Sequence, residues 1–166
     1  MAYNDLREFI TRLEREKELR RIGAEVDVDL EITEITDRVS KAAGPALLFE
    51  KPRSAKDGKA YSVPLLINAL GTKRRLELAL GVSSLYDVAK RIEDLLAMKP
   101  PEGLLDKVRM LPKVAELGSF FPKTVKSGPV KEVIQREAVS LADLPVMQCW
   151  PQDGGDLVYA VYRVRQ

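Results

Sequence analysis

The stretch LPVMQCWPQDGG, residues 144–155, has the pattern of a short apolar strand that runs into a tight turn. Pro145 cannot donate a hydrogen bond to a sheet ladder, so it is expected at the start of a strand or on an edge strand. Pro151 ends the apolar run. Asp153-Gly154-Gly155 is a turn signal, because glycine readily adopts the positive φ angles of two-residue hairpin loops. The stretch therefore predicts a strand at 145–149 followed by a hairpin turn.

The composition indicates a globular chain without a strong electrostatic field. Its 166 residues suit one domain or slightly more, and 45% hydrophobic with 31% charged residues is typical of a folded protein. A net charge of +2 favours neither nucleic acid nor a membrane surface as a partner. The basic clusters at Arg20-Arg21 and Lys73-Arg74-Arg75 have acidic neighbours and are interpreted as solvated helix faces. No apolar run approaches the roughly 18 residues of a membrane span.

The cysteine and histidine counts exclude several catalytic systems. Cys149 is the single cysteine, which excludes an internal disulfide and a thiol-only zinc site and fits a reducing compartment. The sequence has no histidine, so Ser-His-Asp and Cys-His nucleophiles and imidazole-ligated metals are excluded. Cys149 is therefore interpreted as an inert thiol. The first residues lack a basic region followed by an apolar run, so no signal peptide is expected and a cytoplasmic location is predicted.

Apolar spacing in the first 112 residues predicts alternating helices and strands, which favours an α/β layer around a mainly central sheet. The predicted elements, in order, are a helix capped by Asn4 or Asp5 with Leu6, Phe9, Ile10 and Leu13 on its buried face, a strand at 24–28, a helix at 29–43, a buried strand at 46–50, an exposed loop at 51–61, a buried strand at 64–68, a helix capped by Thr72, a helix over Leu85–Leu96 and a shorter helix at 104–111.

The character of the sequence changes after about Lys113, where prolines and glycine break the helical pattern. Strands are predicted at 130–134, 145–149 and 157–164. Three strands are too few to close a sheet, so this segment is expected to have open edges and to be poorly held. The predicted organisation is an N-terminal α/β domain at 1–117, a linker at 118–128 and an incomplete β segment at 129–166.

Three further features have a chemical and a structural interpretation, and the structural one is favoured for each. Glu31, Glu34 and Asp37 have the spacing of one helix face and could hold a hard cation, but a solvated face is the simpler interpretation. Gly71-Thr72-Lys73 lacks the remainder of a phosphate-binding loop and is interpreted as a helix start. Trp150 is interpreted as a packing residue.

The order of several segments resembles the UbiD family of decarboxylases. The resemblance covers about residues 3–155, and the ordered series carries it. The segments are YNDLREFITRLEREKELRRI, EVDVDLEITEITDRV, GPALLFEKP, PLLINALGT, ELGSFFPKTVKSGPVKEVI and the Leu-Pro…Cys-Trp-Pro-x-Asp-Gly-Gly run.

The resemblance implies a specific fold and chemistry. Members of this family remove CO₂ from aromatic or α,β-unsaturated acids with prenylated FMN and a divalent metal, and ubiquinone or menaquinone biosynthesis is the type case. The flavin performs the difficult step while the protein orients the substrate and supplies charges. Residues 129–166 would be the start of the split-barrel-like, flavin-binding β domain. A homo-oligomer is compatible with the resemblance.

The tail departs from the family pattern and leaves one candidate catalytic residue, Arg163. The family has a motif close to Asn-x-Gly-x-Tyr-Arg, whose Asn belongs to the cofactor–metal site and whose Arg belongs to the catalytic charge network. Here Val158 stands in place of the Asn and Ala160 in place of the Gly. The family's catalytic glutamates and its metal-binding histidine and glutamate would follow Gln166. No cofactor-binding or metal-binding residue is therefore assigned.

Two functions from different classes follow from this sequence. The first is the N-terminal part of a UbiD-like decarboxylase, truncated or internally deleted, and inactive as an isolated chain. The second is a shortened, non-enzymatic family member that pairs with another subunit through its open β edge.

Overall fold

The computed structural model of the chain describes residues 3–97, 118, 121–122, 124–134 and 136–153. Within these residues the fold is mixed α/β, with four helices and a four-stranded sheet. The elements are α1 (Leu6–Arg15), β1 (Leu19–Asp27), α2 (Glu31–Lys41), β2 (Ala46–Ser54), β3 (Lys59–Ala60), β4 (Leu65–Ile67), α3 (Lys73–Leu80) and α4 (Leu85–Leu96), with single 3₁₀ turns at Pro129–Lys131 and Leu141–Asp143.

Strand β2 is the centre of the sheet. It pairs in parallel with β1, and on its other edge it pairs antiparallel first with β4 and then with the short β3. A parallel pair needs a crossover connection, and α2 supplies it between β1 and β2. The predicted α/β layer with a central sheet is confirmed.

Helices cover both faces of β2. Side chains along a strand alternate between its two faces. Leu47 and Phe49 belong to a buried cluster with Ile32 of α2, whereas Ala46 belongs to a second cluster with Leu13 of α1. This explains why 46–50 is a continuous apolar run rather than an alternating one. The first cluster consists of Val26, Val28, Ile32, Leu47 and Phe49, and the second of Phe9, Leu13, Ala46 and Leu78.

Side-chain caps fix the starts of α1 and α3 as the sequence predicts. The Asp5 carboxylate accepts a hydrogen bond from the Glu8 amide at 2.8 Å, and the Thr72 hydroxyl accepts one from the Arg75 amide at 3.3 Å. Such caps satisfy amides that the first helical turn leaves without a partner. Gly81 ends α3 in the left-handed conformation that glycine adopts at little cost (φ 66°).

The predictions for two segments are wrong. Residues 51–61 are not a simple loop, because β2 continues to Ser54 and forms a short hairpin with β3. Residues 130–134 do not form a strand. The chain there makes a local 3₁₀ turn, with hydrogen bonds from Lys131 to Gly128 and from Glu132 to Pro129. No strand among the described residues pairs with 130–134, so the backbone amides of Lys131 and Glu132 bond to carbonyls a few residues earlier in the chain instead.

The described residues fall into two compact units. The first holds those up to Val88 together with those from Ser140 onward, and the second holds those from Ala89 to Val139. The predicted domain boundaries at 117 and 129 stay predictions, because 98–117 lie outside the described residues. The predicted helix at 104–111 and strand at 157–164 lie outside them too. No helix in the described part of the chain is long and apolar enough to cross a membrane.

Removing the Phe49 side chain is expected to test the double-sided burial of β2. Phe49 is fully buried, so Phe49→Ala should lower the free energy of unfolding by about 3–5 kcal/mol through lost burial and a residual cavity. Phe121 is 74% exposed, so the matched control Phe121→Ala should change it by less than about 0.5 kcal/mol. Urea unfolding followed by circular dichroism measures both, and equal effects would contradict the assignment of the core.

Candidate functional site

The structure describes some of the predicted site residues and not others. Arg163, the candidate catalytic residue, lies outside the described residues, as do Val158 and Ala160. Cys149 is a free, half-buried thiol. Trp150 is 67% exposed, so its interpretation as a packing residue is wrong for the described part of the chain.

The three carboxylates on α2 do not converge. Glu31 accepts a hydrogen bond from the Asp27 amide at 2.7 Å, while Glu34 and Asp37 each form an ion pair with the basic residue four positions later. These i,i+4 pairs are typical of a solvated helix face, as predicted. The described residues contain no group of three or more Asp, Glu, Cys or His that could hold a metal ion.

The end of β1 binds the segment that the sequence singled out. The Val28 amide donates to Arg53 of β2 at 2.8 Å, and the Val28 carbonyl accepts from the Gln148 amide at 3.0 Å. The Leu30 amide donates to the Gln148 carbonyl at 3.1 Å, which completes a parallel bridge between Asp29 and Gln148. Gln148 therefore continues the hydrogen-bond ladder of β1 from the point where β2 stops pairing with it.

Side chains on both sides support this docking. Met147 is half-buried and packs against the core cluster between α2 and the sheet. The Lys59 ammonium, on β3, donates to the Ala142 carbonyl at 2.5 Å and to the Asp143 carboxylate at 2.8 Å. The predicted strand at 145–149 is thus reduced to one bridge, and the expected lack of partners in 129–166 is wrong for Met147 and Gln148. We call residues 140–149 the docked segment.

The docked segment leads into a turn that is closed by its own side chains. The Gln148 side-chain amide donates to the Trp150 carbonyl at 3.0 Å and to the Pro151 carbonyl at 3.3 Å. The Asp153 carboxylate accepts from the Trp150 amide at 2.9 Å. Such local side-chain bonds give the backbone an alternative to a ladder. The described turn lies at 150–153, and the predicted hairpin turn at Asp153-Gly154-Gly155 stays a prediction, because 154 and 155 lie outside the described residues.

Leu30 has a strained backbone at the docking point. Its φ of 69° and ψ of −32° are unusual for a bulky residue. The Glu31 amide donates to the Asp29 carbonyl at 2.9 Å, so Leu30 is the central residue of a γ-turn of the rare, positive-φ kind. Residues in such regions persist only where the surroundings determine them, and they often mark functional positions. The strain lies directly where Gln148 binds.

The gains from docking and the cost of the turn are similar in size. The two main-chain hydrogen bonds, and the side-chain hydrogen bonds from Thr33 to Gln148 and from Lys59 to Ala142, contribute about 0.5–1.5 kcal/mol each. Half-burial of Met147 adds about 1 kcal/mol, and the exposed Lys59–Asp143 pair adds about 0–1 kcal/mol. Against these, the Leu30 conformation costs about 1–3 kcal/mol, and ordering the backbone of Met147 and Gln148 costs about 1–2 kcal/mol for each residue. The docked segment is therefore held with a small net free energy.

A buried arginine ties together the turns at the other end of the sheet. Arg75 is only 1% exposed, and its guanidinium donates to the Glu18 carboxylate at 2.9 Å and to the Gly44 carbonyl at 3.0 Å. Its other two side-chain nitrogens are buried without a partner. Gly71 leaves room for this arrangement, since a Cβ there would lie 1.8 Å from the Asn68 side-chain oxygen.

Arg75 corrects the interpretation of the basic clusters. The run at 73–75 is a solvated helix face for Lys73 and Arg74 but not for Arg75. Arg20-Arg21 lies on strand β1 rather than on a helix. The sequence pattern missed both points. For Arg75 the reason is that its burial depends on which side of α3 meets the α1–β1 and α2–β2 turns, and charge spacing alone does not give this.

A cleft of about 830 Å³ lies between α1 and α3. Glu16 bridges two of its arginines, at 2.8 Å to Arg12 and 2.9 Å to Arg74. The hydrogen bond from Arg74 lowers the pKa of the Glu16 carboxyl, so this carboxylate stays charged and offsets the guanidinium charge. The cleft is lined by Tyr3, Glu8, Thr11, Arg12, Arg15, Arg74, Glu77, Leu78, Leu80, Gly81, Val82 and Ser83. Its acidic and basic groups nearly balance, so it has no strong preference for an anion.

Comparison with known proteins identifies two consecutive family domains. Residues 10–95 match the family model of the 3-octaprenyl-4-hydroxybenzoate carboxy-lyase N-terminal domain, and residues 123–164 match that of the 3-octaprenyl-4-hydroxybenzoate carboxy-lyase Rift-related domain. A protein of Aquifex aeolicus (strain VF5), described as uncharacterized, is 42% identical over 155 residues, which are 92% of this chain and 31% of that protein.

Solved structures of a UbiD-class enzyme are similar to the chain. An evolved dimeric form of HmfF from Pelotomaculum thermopropionicum, in complex with prFMN, is 27% identical with a TM-score of 0.53, over 88% of this chain and 28% of that one. The same enzyme in complex with FMN is 28% identical with a TM-score of 0.51, over 86% and 26%. The chain thus spans less than a third of the length of these relatives.

The described residues do not fit a metal–flavin site. A flavin phosphate and its metal need hard ligands or imidazoles that converge. The sequence has no histidine, and the carboxylates of the described residues form no group that could hold a metal. The site that this part of the chain does build is the docking point at Val28–Leu30.

Substitution of Arg75 is expected to separate a buried structural role from a surface one. Arg75→Ala should lower the free energy of unfolding by about 3 kcal/mol, because the Glu18 carboxylate and the Gly44 carbonyl lose their buried partner. Arg74 is half exposed, so Arg74→Ala should cost less than about 1 kcal/mol.

Arg75→Met is a second test of the role of the Arg75 side chain. It fills a similar volume without burying unpaired N–H groups, so it should recover part of the loss that Arg75→Ala causes. Urea unfolding measures all three variants. Equal losses for Arg74→Ala and Arg75→Ala would contradict the structural role.

Proposed function

Because the chain belongs to the UbiD (3-octaprenyl-4-hydroxybenzoate carboxy-lyase) family and corresponds to its N-terminal portion, we propose that it serves a non-oxidative decarboxylase of aromatic or α,β-unsaturated acids. Chemistry of the ubiquinone or menaquinone type, and a cytoplasmic location, belong to the same proposal. The two family matches follow one another in family order along the chain, which supports an enzyme portion over an unrelated binding module.

One contact carries the proposed role of this portion. The bridge between Asp29 and Gln148 joins a residue in the N-terminal domain match to a residue in the Rift-related domain match. The α/β layer would therefore hold the docked segment, which is part of the Rift-related match, in a defined direction. Its proposed contribution to catalysis is to position the chain that follows, and the described residues contain no group of three or more Asp, Glu, Cys or His that could hold a metal ion.

The cofactor of the complete enzyme is proposed to be prenylated FMN with a divalent metal, because the solved HmfF structures carry prFMN or FMN. Prenylated FMN supplies the electron sink for loss of CO₂. Residues outside the described part of this chain would have to hold it. Arg163 is proposed to bind the substrate carboxylate, for which the planar guanidinium fork is suited.

The alternative function is a subunit-interaction module, and one observation favours an association surface. In the described part of 121–139, five large apolar side chains are 65–88% exposed, which is unusual for a surface left open to water. They are Phe121, Val125, Val133, Ile134 and Val139. Either further chain of the same protein or a second subunit, including a homo-oligomer, would cover them.

The gene sequence distinguishes the two functions at little effort. If the nucleotide sequence beyond codon 166 continues the family pattern in any frame, the chain is part of an enzyme. A clean stop without a remnant of the pattern favours the interaction module.

The purified chain alone is expected neither to retain prenylated FMN nor to decarboxylate. It has no imidazole, and valine stands at 158 where the family has a metal-site asparagine. The measurement is incubation with prenylated FMN, a divalent metal and potassium, then desalting and flavin absorbance, with HmfF as the positive control. Near-stoichiometric retained flavin, or CO₂ release from an aromatic acid that Arg163→Ala abolishes, would contradict this expectation.

A complementation arm tests the positive side of the proposal. The chain is co-expressed with the part of the Aquifex aeolicus relative that it does not cover. Retained flavin in the co-purified complex supports an enzyme portion. If the two pieces co-purify without flavin under conditions in which HmfF is loaded, the interaction module is the better description.

A further inference from the structure

The docking point combines strain with weak attachment. Leu30 donates its amide to Gln148 while it holds a left-handed φ of 69°. The attachment includes two main-chain hydrogen bonds, a hydrogen bond from the Thr33 hydroxyl to the Gln148 carbonyl, and the half-buried Met147. The Lys59 ammonium adds a hydrogen bond to the Ala142 carbonyl and a solvent-exposed ion pair with Asp143. Strain of this kind persists only where the surrounding contacts determine the backbone. Here some of those contacts come from a segment more than a hundred residues away in the sequence.

The neighbouring contacts of Leu30 do not depend on the docked segment. The Asp29 amide donates to the Asp27 carboxylate at 2.9 Å, and the Ser54 hydroxyl donates to the Asp29 carboxylate at 3.2 Å. On the other side, the Glu34 amide donates to the Leu30 carbonyl at 2.9 Å and starts α2. Asp29 and the start of α2 are thus held by contacts outside the docked segment. Three groups bind Gln148: the Leu30 amide, the Val28 carbonyl and the Thr33 hydroxyl, which donates to the Gln148 carbonyl at 3.4 Å.

We propose that Leu30 and Gln148 form a reversible latch. In the docked state, Leu30 adopts the strained γ-turn and the segment 140–149 extends the ladder of β1. In the released state, the Leu30 amide is bonded to water and the Leu30 backbone relaxes toward negative φ. Strand β1 stays paired with β2, and α2 stays packed on the sheet. Since the gain and the cost are similar in size, both states are populated, and the exchange between them is local rather than global.

The latch would control the position of the docked segment and of the turn that follows it. Release frees Gln148 and the turn at 148–153, whose internal hydrogen bonds from the Gln148 side-chain amide and to the Asp153 carboxylate do not involve β1 or α2. The turn would therefore move as one piece with the docked segment. Residues 140–153 would then pass between a fixed and a free direction without unfolding of the α/β core.

Amide hydrogen exchange by NMR on the full chain tests the latch directly. The Gln148 and Leu30 amides report on docking, and the Val28 amide, bonded to Arg53, reports on the β1–β2 ladder. The Gln148 amide is expected to exchange faster than the Val28 amide, because release is cheaper than opening the sheet. Equal exchange rates would mean that the segment leaves only on global unfolding, and the proposal would be wrong.

Substitution of Leu30 tests the role of strain. Leu30→Asn places at φ 69° a residue that tolerates this conformation, so it should slow exchange of the Gln148 amide by about fivefold or more. Leu30→Gly should slow it as well, but less, because glycine has more backbone entropy to lose. The Val28 amide in the same variants is the internal reference for changes in the stability of the sheet.

Lys17 supplies a matched control. Lys17 also has a positive φ, of 61°, but it precedes β1 at the end opposite to Leu30. Lys17→Asn and Lys17→Gly should leave the ratio of Gln148 to Val28 exchange unchanged. If both Leu30 variants leave that ratio unchanged or raise it, the turn is not relaxed by release and the latch does not exist. If the Lys17 variants slow Gln148 exchange equally, the effect is general and the proposal is also wrong.

Discussion

The parallel pairing of β1 with β2 is the interaction on which the first unit depends. Parallel neighbouring strands require a crossover connection, and α2 forms it. The apolar side of α2 must then pack on the sheet, and Ile32 makes this contact. The same pairing makes β2 an interior strand with both faces covered, so α1 and α3 must pack on the opposite side. At its far end the pairing stops at Arg53, and β1 is left with main-chain groups at Val28 and Leu30 that need a partner.

The two ends of the sheet solve this need in different ways. At the start of β1, one buried side chain joins the turns, because the Arg75 guanidinium binds both the Glu18 carboxylate and the Gly44 carbonyl. These contacts have a free-energy cost, because two side-chain nitrogens of Arg75 are buried without a hydrogen-bond partner. At the other end the partner is a distant stretch of main chain, with few side-chain contacts. The Arg75 end of the sheet is therefore held by buried side-chain contacts, whereas the Leu30 end is held mainly by main-chain contacts that can exchange.

The elements that follow local rules were predictable from the sequence. Asp5 and Thr72 cap their helices as expected, and the run at 46–50 is a buried strand, because caps and apolar runs depend on near neighbours. The failures depend on contacts that are distant in sequence. Val133 and Ile134 fit a strand pattern, yet a strand needs a partner, and the described residues supply none there. Burial of Arg75 also depends on turns that lie 31 and 57 residues away.

The candidate site shows the same division. The end of the apolar run at Pro151 was predictable, because proline acts locally, whereas the docking of Gln148 on Val28 was not. A main-chain bridge leaves no side-chain signature in the sequence, and the positive φ of Leu30 contradicts the propensity of leucine. The strained residue is therefore the place where local preference and tertiary structure disagree. Such disagreement is expected at positions that serve function rather than stability, and here it coincides with a main-chain bridge that joins the described parts of the two matched family domains.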